Sequence, residues 1–207
     1  MAEPTTRAYR SPRRALQAAQ TRTAVLRAAR ELFAEKGWAA TGMRDVARAA
    51  QVSVETIYGT LGGKVGLLTA ALDGAVVGDD EPVPLAERPL FRALGEGDLA
   101  ARAAAGAALI TDIHVRTIGL HLALREGAGS EPALAELRTT QEQGRRGSTA
   151  DGLRLVLGRP VDDREVDLFW AQTCPEVYEL LVHRSGWSVE QYQQWVLTLI
   201  TELENGS

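Results

Sequence analysis

The chain has little of what marks a secreted or membrane-spanning protein. Its 207 residues contain a single cysteine, Cys174, which excludes an intramolecular disulfide and gives no sign of a secreted scaffold. No apolar stretch approaches the ~20 residues needed to cross a bilayer. Residues 5–14 are polar and basic, so they lack the apolar segment of a signal peptide. We therefore expect a cytoplasmic protein that does not bind a membrane.

The sequence also lacks the patterns of β-sheets and of common active sites. Strand-favouring residues do not form alternating runs. There is no glycine-rich phosphate loop after a strand, no metal-binding histidine–carboxylate spacing and no nucleophile elbow. The adjacent acids Asp162 and Asp163 are typical of solvated helix N-termini. We expect no enzyme, hence no catalytic residue, and neither a metal nor a cofactor.

What the sequence has in quantity is residues that form helices. Ala, Leu and Arg are abundant, and all three favour helix. Because 45% of the residues are hydrophobic, a chain of this length can bury a proper core. From Thr21 onward the apolar residues recur at three- and four-residue spacing. Composition and periodicity together predict an all-α fold.

Charge is distributed unevenly along the chain. Residues 1–78 carry eleven basic and six acidic side chains, a net +5, whereas the remainder carries twelve basic and twenty-one acidic, a net −9. A basic first part on an acidic body suits a nucleic-acid-binding module joined to a part that does not touch nucleic acid. The alternative is a basic tail that is only solvated.

Glycine, proline and capping residues divide the chain into three parts. Residues 1–20 are predicted to be a flexible basic arm, residues 21–77 a small helical domain, and residues 78–207 a larger one. The boundary lies at 78–89, which contains three prolines and two aspartates. Thr21, Thr41 and Ser53 are predicted helix N-caps, and Pro175 should kink or restart its helix. The predicted helices are 21–36, 42–50, 54–61, 64–77, 98–115, 116–126, 131–157, 163–183 and 188–204.

Residues 41–60 have the spacing of a helix-turn-helix motif. Ala47 is small where two helices must approach closely, and Val52 and Ile57 can close a small core with Val46. The second helix is short enough to enter a major groove. A degenerate motif kept only for packing is the alternative. The outward residues of that helix are Val54, Glu55, Thr56, Tyr58 and Thr60.

This part of the sequence resembles the TetR family of transcriptional regulators. The resemblance covers residues 21–72, and residues 167–195 resemble the last two helices of many members. It implies an N-terminal three-helix helix-turn-helix domain, joined by a linking helix to a larger helical ligand-binding and dimerisation domain. The matching residues are Thr21-Arg22, the run from Ala28 to Trp38, Thr41, Met43 to Ala47, Val52-Ser53, Thr56 to Tyr58, Lys64 and Leu67-Leu68.

The resemblance also implies roles for single residues. Thr41 would cap the second helix and touch a phosphate, and Arg44 would reach a phosphate or a base edge. Tyr58 and Lys64 would hold phosphates on either side of the recognition helix. Phosphate contacts set the register on DNA, and base contacts set sequence preference. The complete predicted DNA-binding set is Thr41, Arg44, Ser53, Val54, Glu55, Thr56, Tyr58, Thr60 and Lys64.

Three positions depart from the family pattern. Gln51 stands where a turn glycine is usual, which costs roughly 1–2 kcal/mol if the backbone there is left-handed. Leu61 replaces an aromatic residue and is expected only to repack the core. Gly59 and the pair Gly62-Gly63 loosen the end of the recognition helix, so its order could depend on DNA.

The second domain is expected to dimerise and to bind a ligand, as the family does. Its last two helices are apolar on more than one side, so a two-fold four-helix bundle with a second copy would cover them. Such a homodimer would read a palindromic operator in double-stranded DNA. The residues predicted at the dimer interface are Phe169, Val177, Leu181, Tyr192, Trp195 and Leu199.

The sequence says less about the ligand. The alanines at 100–108 either leave room for a molecule or allow close packing, which we favour slightly. His114 and His121 are seven residues apart, ~10.5 Å along a helix, too far to share one metal, and each is either a core group or a ligand contact. The apolar helices suit a small hydrophobic or aromatic effector. The predicted ligand-binding residues are Ile110, His114, Ile118, His121, Trp170 and Thr173.

The function predicted from the sequence is therefore a sequence-specific DNA-binding transcriptional regulator. The family implies a repressor that ligand releases from its operator. A constitutive DNA-binding dimer without a small-molecule effector is the alternative, and a tightly packed second domain would favour it.

Overall fold

The computed structural model describes residues 12–81 and 83–205, which are helical and contain no strand. This confirms the all-α prediction. The α-helices are α1 (Pro12–Ala40), α2 (Met43–Ala49), α3 (Val54–Leu61), α4 (Lys64–Val77), α5 (Pro89–Arg92), α6 (Leu99–Ala128), α7 (Pro132–Leu157), α8 (Asp163–Gln172), α9 (Pro175–Tyr178) and α10 (Val189–Asn205). Short 3₁₀ turns flank α5 at Leu85–Glu87 and Ala93–Gly95.

Helix α1 begins nine residues earlier than predicted. Residues 12–20, expected to belong to a flexible arm, are helical, and Thr21 lies inside the helix instead of capping it. Pro12 is well suited to a first helical turn, and the following Ala, Leu and Gln residues favour helix although their side chains are mostly exposed. The arm predicted at residues 1–11 lies outside the described residues.

The end of α1 is shaped by Gly37 and Thr41. Gly37 has φ 73°, a conformation that favours glycine, and it bends the helix before Ala40. Thr41 is buried, and its hydroxyl donates hydrogen bonds to the carbonyl oxygens of Leu32 and Gly37 at 3.0 and 2.7 Å. The prediction that Thr41 caps α2 is therefore wrong, because Gly42 occupies the N-cap position and offers no side chain.

Two hydrophobic cores organise the chain. The first joins α1 to α4 around Phe33, Val46, Ile57 and Leu67, all of which are fully buried. The second joins α5, α6, α7, α8 and α10. The first core also contains residues of α6 and α7, which lie well beyond the domain boundary predicted at residue 78. They are Leu120, Ala123, Leu124 and Leu134.

Helix α6 connects the two cores. It runs unbroken for 30 residues, whereas the sequence pattern predicted separate helices at 98–115 and 116–126. No glycine or proline stands at that predicted break. Gly119 lets α6 cross α1 closely, since a Cβ there would lie 2.5 Å from the Cβ of Ala34. The alanines Ala103 and Ala107 are buried in the second core, as close packing requires.

By length and apolar composition alone, α6 is the one single helix of the described residues that could span a membrane. Half of its most apolar stretch is buried against neighbouring helices. Core helices of helical domains have the same length and composition, so packing accounts for the apolar character of α6.

The predicted helix 163–183 is divided into three pieces. Asp162 caps α8 by accepting from the amide of Glu165, whose carboxylate accepts from the amide of Asp162 in return. Pro175 then starts α9, which confirms the predicted restart. The chain continues through a π-helical turn at Glu179–Arg184. Glu179 lies in that turn, and its carboxylate pairs with Arg125 of α6 and with Arg184. These two partners lower the pKa of Glu179 to about 2.

Candidate nucleic-acid interface and internal cavity

The recognition helix α3 is fixed at its start by Ser53. The Ser53 hydroxyl accepts a hydrogen bond from the Thr56 amide at 3.2 Å, which confirms the predicted cap. Ile57 is fully buried and anchors the helix on the first core. The remaining face points outward, with Glu55, Tyr58 and Thr60 exposed and Val54 and Thr56 half-buried.

The turn before α3 has a left-handed residue. Gln51 has φ 56°, the only positive φ of a described residue other than glycine. The Val52 amide then donates to the Ala47 carbonyl at 3.0 Å and closes the turn. The sequence had marked this position because glycine is usual there, and the geometry matches that expectation.

Helix α2 presents two arginines to solvent. Arg44 is exposed, as a DNA contact would require. Arg48, which the sequence analysis did not single out, is also exposed and bonds Asp45 at 3.0 Å. Its four-residue spacing from Arg44 places both on one side of the helix. That spacing could have identified Arg48 as a second candidate DNA contact.

Lys64 is held within the protein. Its ammonium donates to the Trp38 carbonyl and lies 4.2 Å from the centre of the Trp38 ring. Burial lowers the pKa of Lys64, and the nearby Glu126 opposes that effect. To contact a phosphate, Lys64 would therefore have to give up its hydrogen bond to the Trp38 carbonyl. Thr41, in contrast, has no exposed hydroxyl, so its predicted side-chain contact with a phosphate does not fit the structure.

Trp38 packs against the first core, where the end of α1 meets α6. It stacks on Phe33 at 5.9 Å between ring centroids, and its amide donates to the carboxylate of Glu126 on α6 at 2.7 Å. The Ala39 amide donates to the same carboxylate at 3.2 Å. Gly127 leaves room for the indole, because a Cβ there would come within 2.8 Å of the ring.

The second domain encloses a cavity of about 730 Å³. Its walls come mainly from α6, α7 and the region of α8 and α9. Apolar residues form much of the lining, including Phe91, Leu94, Leu109, Leu153 and Val156. A domain that only dimerises does not need such a space, and cavities of ~300–1,000 Å³ are typical of small-molecule sites.

Five of the six predicted ligand-binding residues line the cavity. They are Ile110, His114, His121, Trp170 and Thr173. Ile118 does not line it and is instead buried in the second core. Cys174 also lines the cavity, and burial raises the pKa of its thiol, which disfavours the reactive thiolate.

The two cavity histidines are neutral. Burial lowers the pKa of His114 to about 3 and that of His121 to about 4. His114 Nδ1 lies 3.0 Å from the hydroxyl of Tyr192. Burial raises the pKa of that tyrosine as well, so the hydroxyl keeps its proton.

Arg145 is one of several polar lining residues that were not predicted from the sequence. Its Nη1 donates to the carbonyl oxygens of Trp170 and Thr173 at 2.8 and 3.5 Å. The guanidinium also lies 4.8 Å from the centre of the Trp170 ring. Helical spacing from Leu153 and Val156 could have placed Arg145 on the inner face of α7.

The predicted dimer residues fall into two groups. Phe169 and Tyr192 are buried within their own chain, 3% and 0% exposed, so they have no surface to offer a second copy and that prediction is wrong. The sequence did not show which side of each helix faces the cavity. Val177, Leu181, Trp195 and Leu199 remain partly exposed.

The motif, its capped third helix and the larger helical part behind them define an all-α protein with an N-terminal helix-turn-helix domain. The family model for bacterial regulatory proteins of the tetR family matches residues 25–71, and these include the whole helix-turn-helix. Over these residues the chain is similar to the TetR family. No functionally curated protein is similar enough in sequence to match it.

Solved structures share the fold over most of the chain. A transcriptional regulator from Rhodococcus sp. Rha1 is 19% identical, with TM-score 0.63 over 89% of this chain and 96% of its own. A protein from Pseudomonas aeruginosa PAO1, also described as a transcriptional regulator, is 18% identical, with TM-score 0.61 over 96% and 94%. A protein described as a TetR-family transcriptional regulator from Rhodococcus sp. is 22% identical, with TM-score 0.62 over 89% and 99%.

Proposed function

We propose that this regulator is a homodimeric repressor that a small apolar effector releases from a palindromic operator. The observation that carries the proposal is the cavity of about 730 Å³, one wall of which is α6. The same helix supplies Leu120, Ala123 and Leu124 to the core of the DNA-binding domain. A molecule bound in the cavity would therefore press on a helix that supports the recognition helix.

A short chain of contacts runs from the cavity to the DNA-binding surface. Leu124 and Arg125 line the cavity, and the next residue, Glu126, accepts hydrogen bonds from the amides of Trp38 and Ala39. The Trp38 carbonyl in turn accepts from Lys64. A ligand that favours a different position of this end of α6 would move these groups, and it would shift the protein away from its DNA-binding state.

The DNA contacts we propose follow the exposed face of the motif. Glu55, Thr56 and Thr60 would face base edges, and Arg44 and Tyr58 would hold the backbone. Val54 would touch the groove floor, and Ser53 would fix the start of α3. Thr41 is left out because its hydroxyl is buried. Lys64 would join the set after leaving the Trp38 carbonyl.

Exposed apolar side chains support dimerisation through α8 to α10. Leu168 and Leu180 are 50% and 49% exposed. Val177, Leu181, Trp195 and Leu199, on α9, the π-helical turn and α10, are also partly exposed. A second copy placed by two-fold symmetry would cover them and would set two recognition helices on one side of the dimer.

The first experiment titrates the protein against DNA flanking its own coding region, by fluorescence anisotropy over a salt series with a competitor duplex. We expect competitor-resistant binding. Arg44→Gln should weaken it about tenfold and reduce the salt dependence by about one phosphate contact. The control is Arg92→Gln, the same change at an exposed arginine of the second domain. Binding that disappears with salt and shows no sequence preference would contradict a specific regulator.

The second experiment tests the effector site. N-phenyl-1-naphthylamine, an uncharged aromatic dye that fluoresces in apolar surroundings, should bind the dimer. Ser148→Phe should abolish this binding, because residue 148 lines the cavity. The control is Ser130→Phe, at an exposed serine before α7 that does not line the cavity. Unchanged dye binding in Ser148→Phe, or no binding by the parent, would favour the constitutive DNA-binding dimer.

A further inference from the structure

The cavity has one guanidinium without an acidic partner. Arg145 makes its polar contacts with two backbone carbonyls, both through Nη1. Within residues 12–81 and 83–205, no carboxylate lies within ion-pair distance of it. Burial lowers the pKa of Arg145, but arginine starts so high that the group keeps its charge at neutral pH. Its Nε and Nη2 have no hydrogen-bond partner among these residues, and the side chain lines the cavity.

The other charged side chains that line the cavity all take part in ion pairs. Arg138 bonds Glu142 at 2.9 Å and Glu176 at 3.6 Å, and Arg125 bonds Glu179 at 2.7 Å. A cationic ligand would have to compete with Arg138 for a carboxylate. A ligand with several negative charges would find a single unpaired cation. The electrostatics therefore favour a molecule with one negative charge.

A second donor comes from His114. If Nδ1 carried the ring proton, the Tyr192 hydroxyl hydrogen would be buried with no acceptor, which is unfavourable. The favourable arrangement has Tyr192 donating to Nδ1. The proton of the neutral ring then sits on Nε2, on a side chain that lines the cavity. The indole N–H of Trp170, also a lining residue, is buried without an acceptor.

The rest of the lining is apolar. Phe91, Leu94, Leu109, Leu153 and Val156 belong to the second core and also line the cavity. These side chains offer no hydrogen bond, so they suit a hydrocarbon or aromatic body. The polar donors His114, Arg145 and Trp170 come from α6, α7 and α8.

We propose that the effector is an apolar monocarboxylate whose carboxylate binds Arg145, with His114 as a second hydrogen-bond donor. This rests on the proposed function, because it assigns the chemistry of the cavity proposed as the effector site. The acidic character of the whole second domain does not oppose it, since the charge that matters lies within the cavity.

The test is displacement of N-phenyl-1-naphthylamine from the intact dimer by three ligands with the same chain: decanoate, decanol and decylammonium. We expect decanoate to bind at least tenfold more tightly than the other two. Arg145→Met should weaken decanoate about tenfold to a hundredfold, the loss typical of a charged hydrogen bond, and should leave decanol and the dye unchanged. Arg145→Lys should recover part of the loss.

Arg154→Met is the matched control, because Arg154 is exposed on the same helix and paired with Asp151. Dye binding by each variant shows that the cavity is intact. Equal affinity of the three ligands for the parent, or an equal loss for all three in Arg145→Met, would overturn the carboxylate assignment while the cavity site stands. Failure of the dye to bind the parent would instead contradict the proposed function itself.

Discussion

Gln51 holds a backbone conformation that most side chains avoid. At φ 56° its Cβ crowds the following carbonyl. We expect Gln51→Gly to raise the free energy of unfolding by up to about 1 kcal/mol, measured by urea denaturation. The control is Gln143→Gly, at an exposed site inside α7, which should lower it by a similar amount. A loss of stability in Gln51→Gly would show that the glutamine side chain contributes more than its strain costs.

His114 and His121 make stability depend on pH. Their pKa values, about 3 and about 4 in the folded protein, lie below the ordinary value of 6.5. The unfolded chain therefore binds more protons as the pH falls below 6.5, and the folded state loses up to about 1.4 kcal/mol per pH unit for each histidine. This loss continues down to the folded pKa values.

We expect His114→Gln to remove one of these contributions, so that its denaturation midpoint changes less between pH 7 and pH 5. Tyr192→Phe is the control: it removes the same hydrogen bond but keeps the imidazole, and it should retain the parent's pH dependence. Identical pH profiles for His114→Gln and the parent would mean that His114 is hydrated or protonated in the folded protein.

The recognition helix contains a glycine, Gly59, that neither packing nor backbone conformation requires. Gly59 has no atom within 4 Å of the place a Cβ would take, and its backbone is helical. Gly59→Ala should stabilise the protein by roughly 0.5–1 kcal/mol and slow amide hydrogen exchange in α3. Gly62→Ala has equal space but φ 75°, so it should destabilise by a comparable amount. The same sign for both would show that the end of α3 is not ordered as described.

Local chemistry made several elements predictable. Ser53 before an amphipathic segment gave the start of α3, and Pro175 gave the restart at α9. The family resemblance marked Gln51 as the position of a usual turn glycine, and the backbone there is left-handed. Each of these depends on a few neighbouring residues, which a sequence displays directly.

Features set by distant contacts were not predictable in the same way. The burial of Thr41 depends on the bend at Gly37. Phe169 and Tyr192 looked like interface residues because periodicity shows that a helix face is apolar but not which element covers it. Arg145 was missed for a similar reason. Its neighbours in the sequence are polar, so the sequence alone predicts a solvent-exposed side chain, and only the contact with α8 shows otherwise.

At the scale of the whole molecule, the exposed leucines of α8 and the π-helical turn should decide the oligomeric state. We expect the double change Leu168→Glu and Leu180→Glu to convert a dimer to a monomer, because four charges would meet at the interface. Light scattering after gel filtration measures this. Leu90→Glu, at an equally exposed leucine elsewhere, should stay dimeric. A double variant that remains a dimer would place the interface on another surface.

The long helix α6 has a consequence for exchanging parts between related regulators. Its second half, with Leu134 of α7, completes the core under the recognition helix. A joint at residue 78 would therefore cut through that core and leave Phe33, Ile57 and Leu67 facing side chains selected for another partner. The second domain can therefore be exchanged with that of a related regulator only if these contact residues of α6 and α7 stay with the DNA-binding domain.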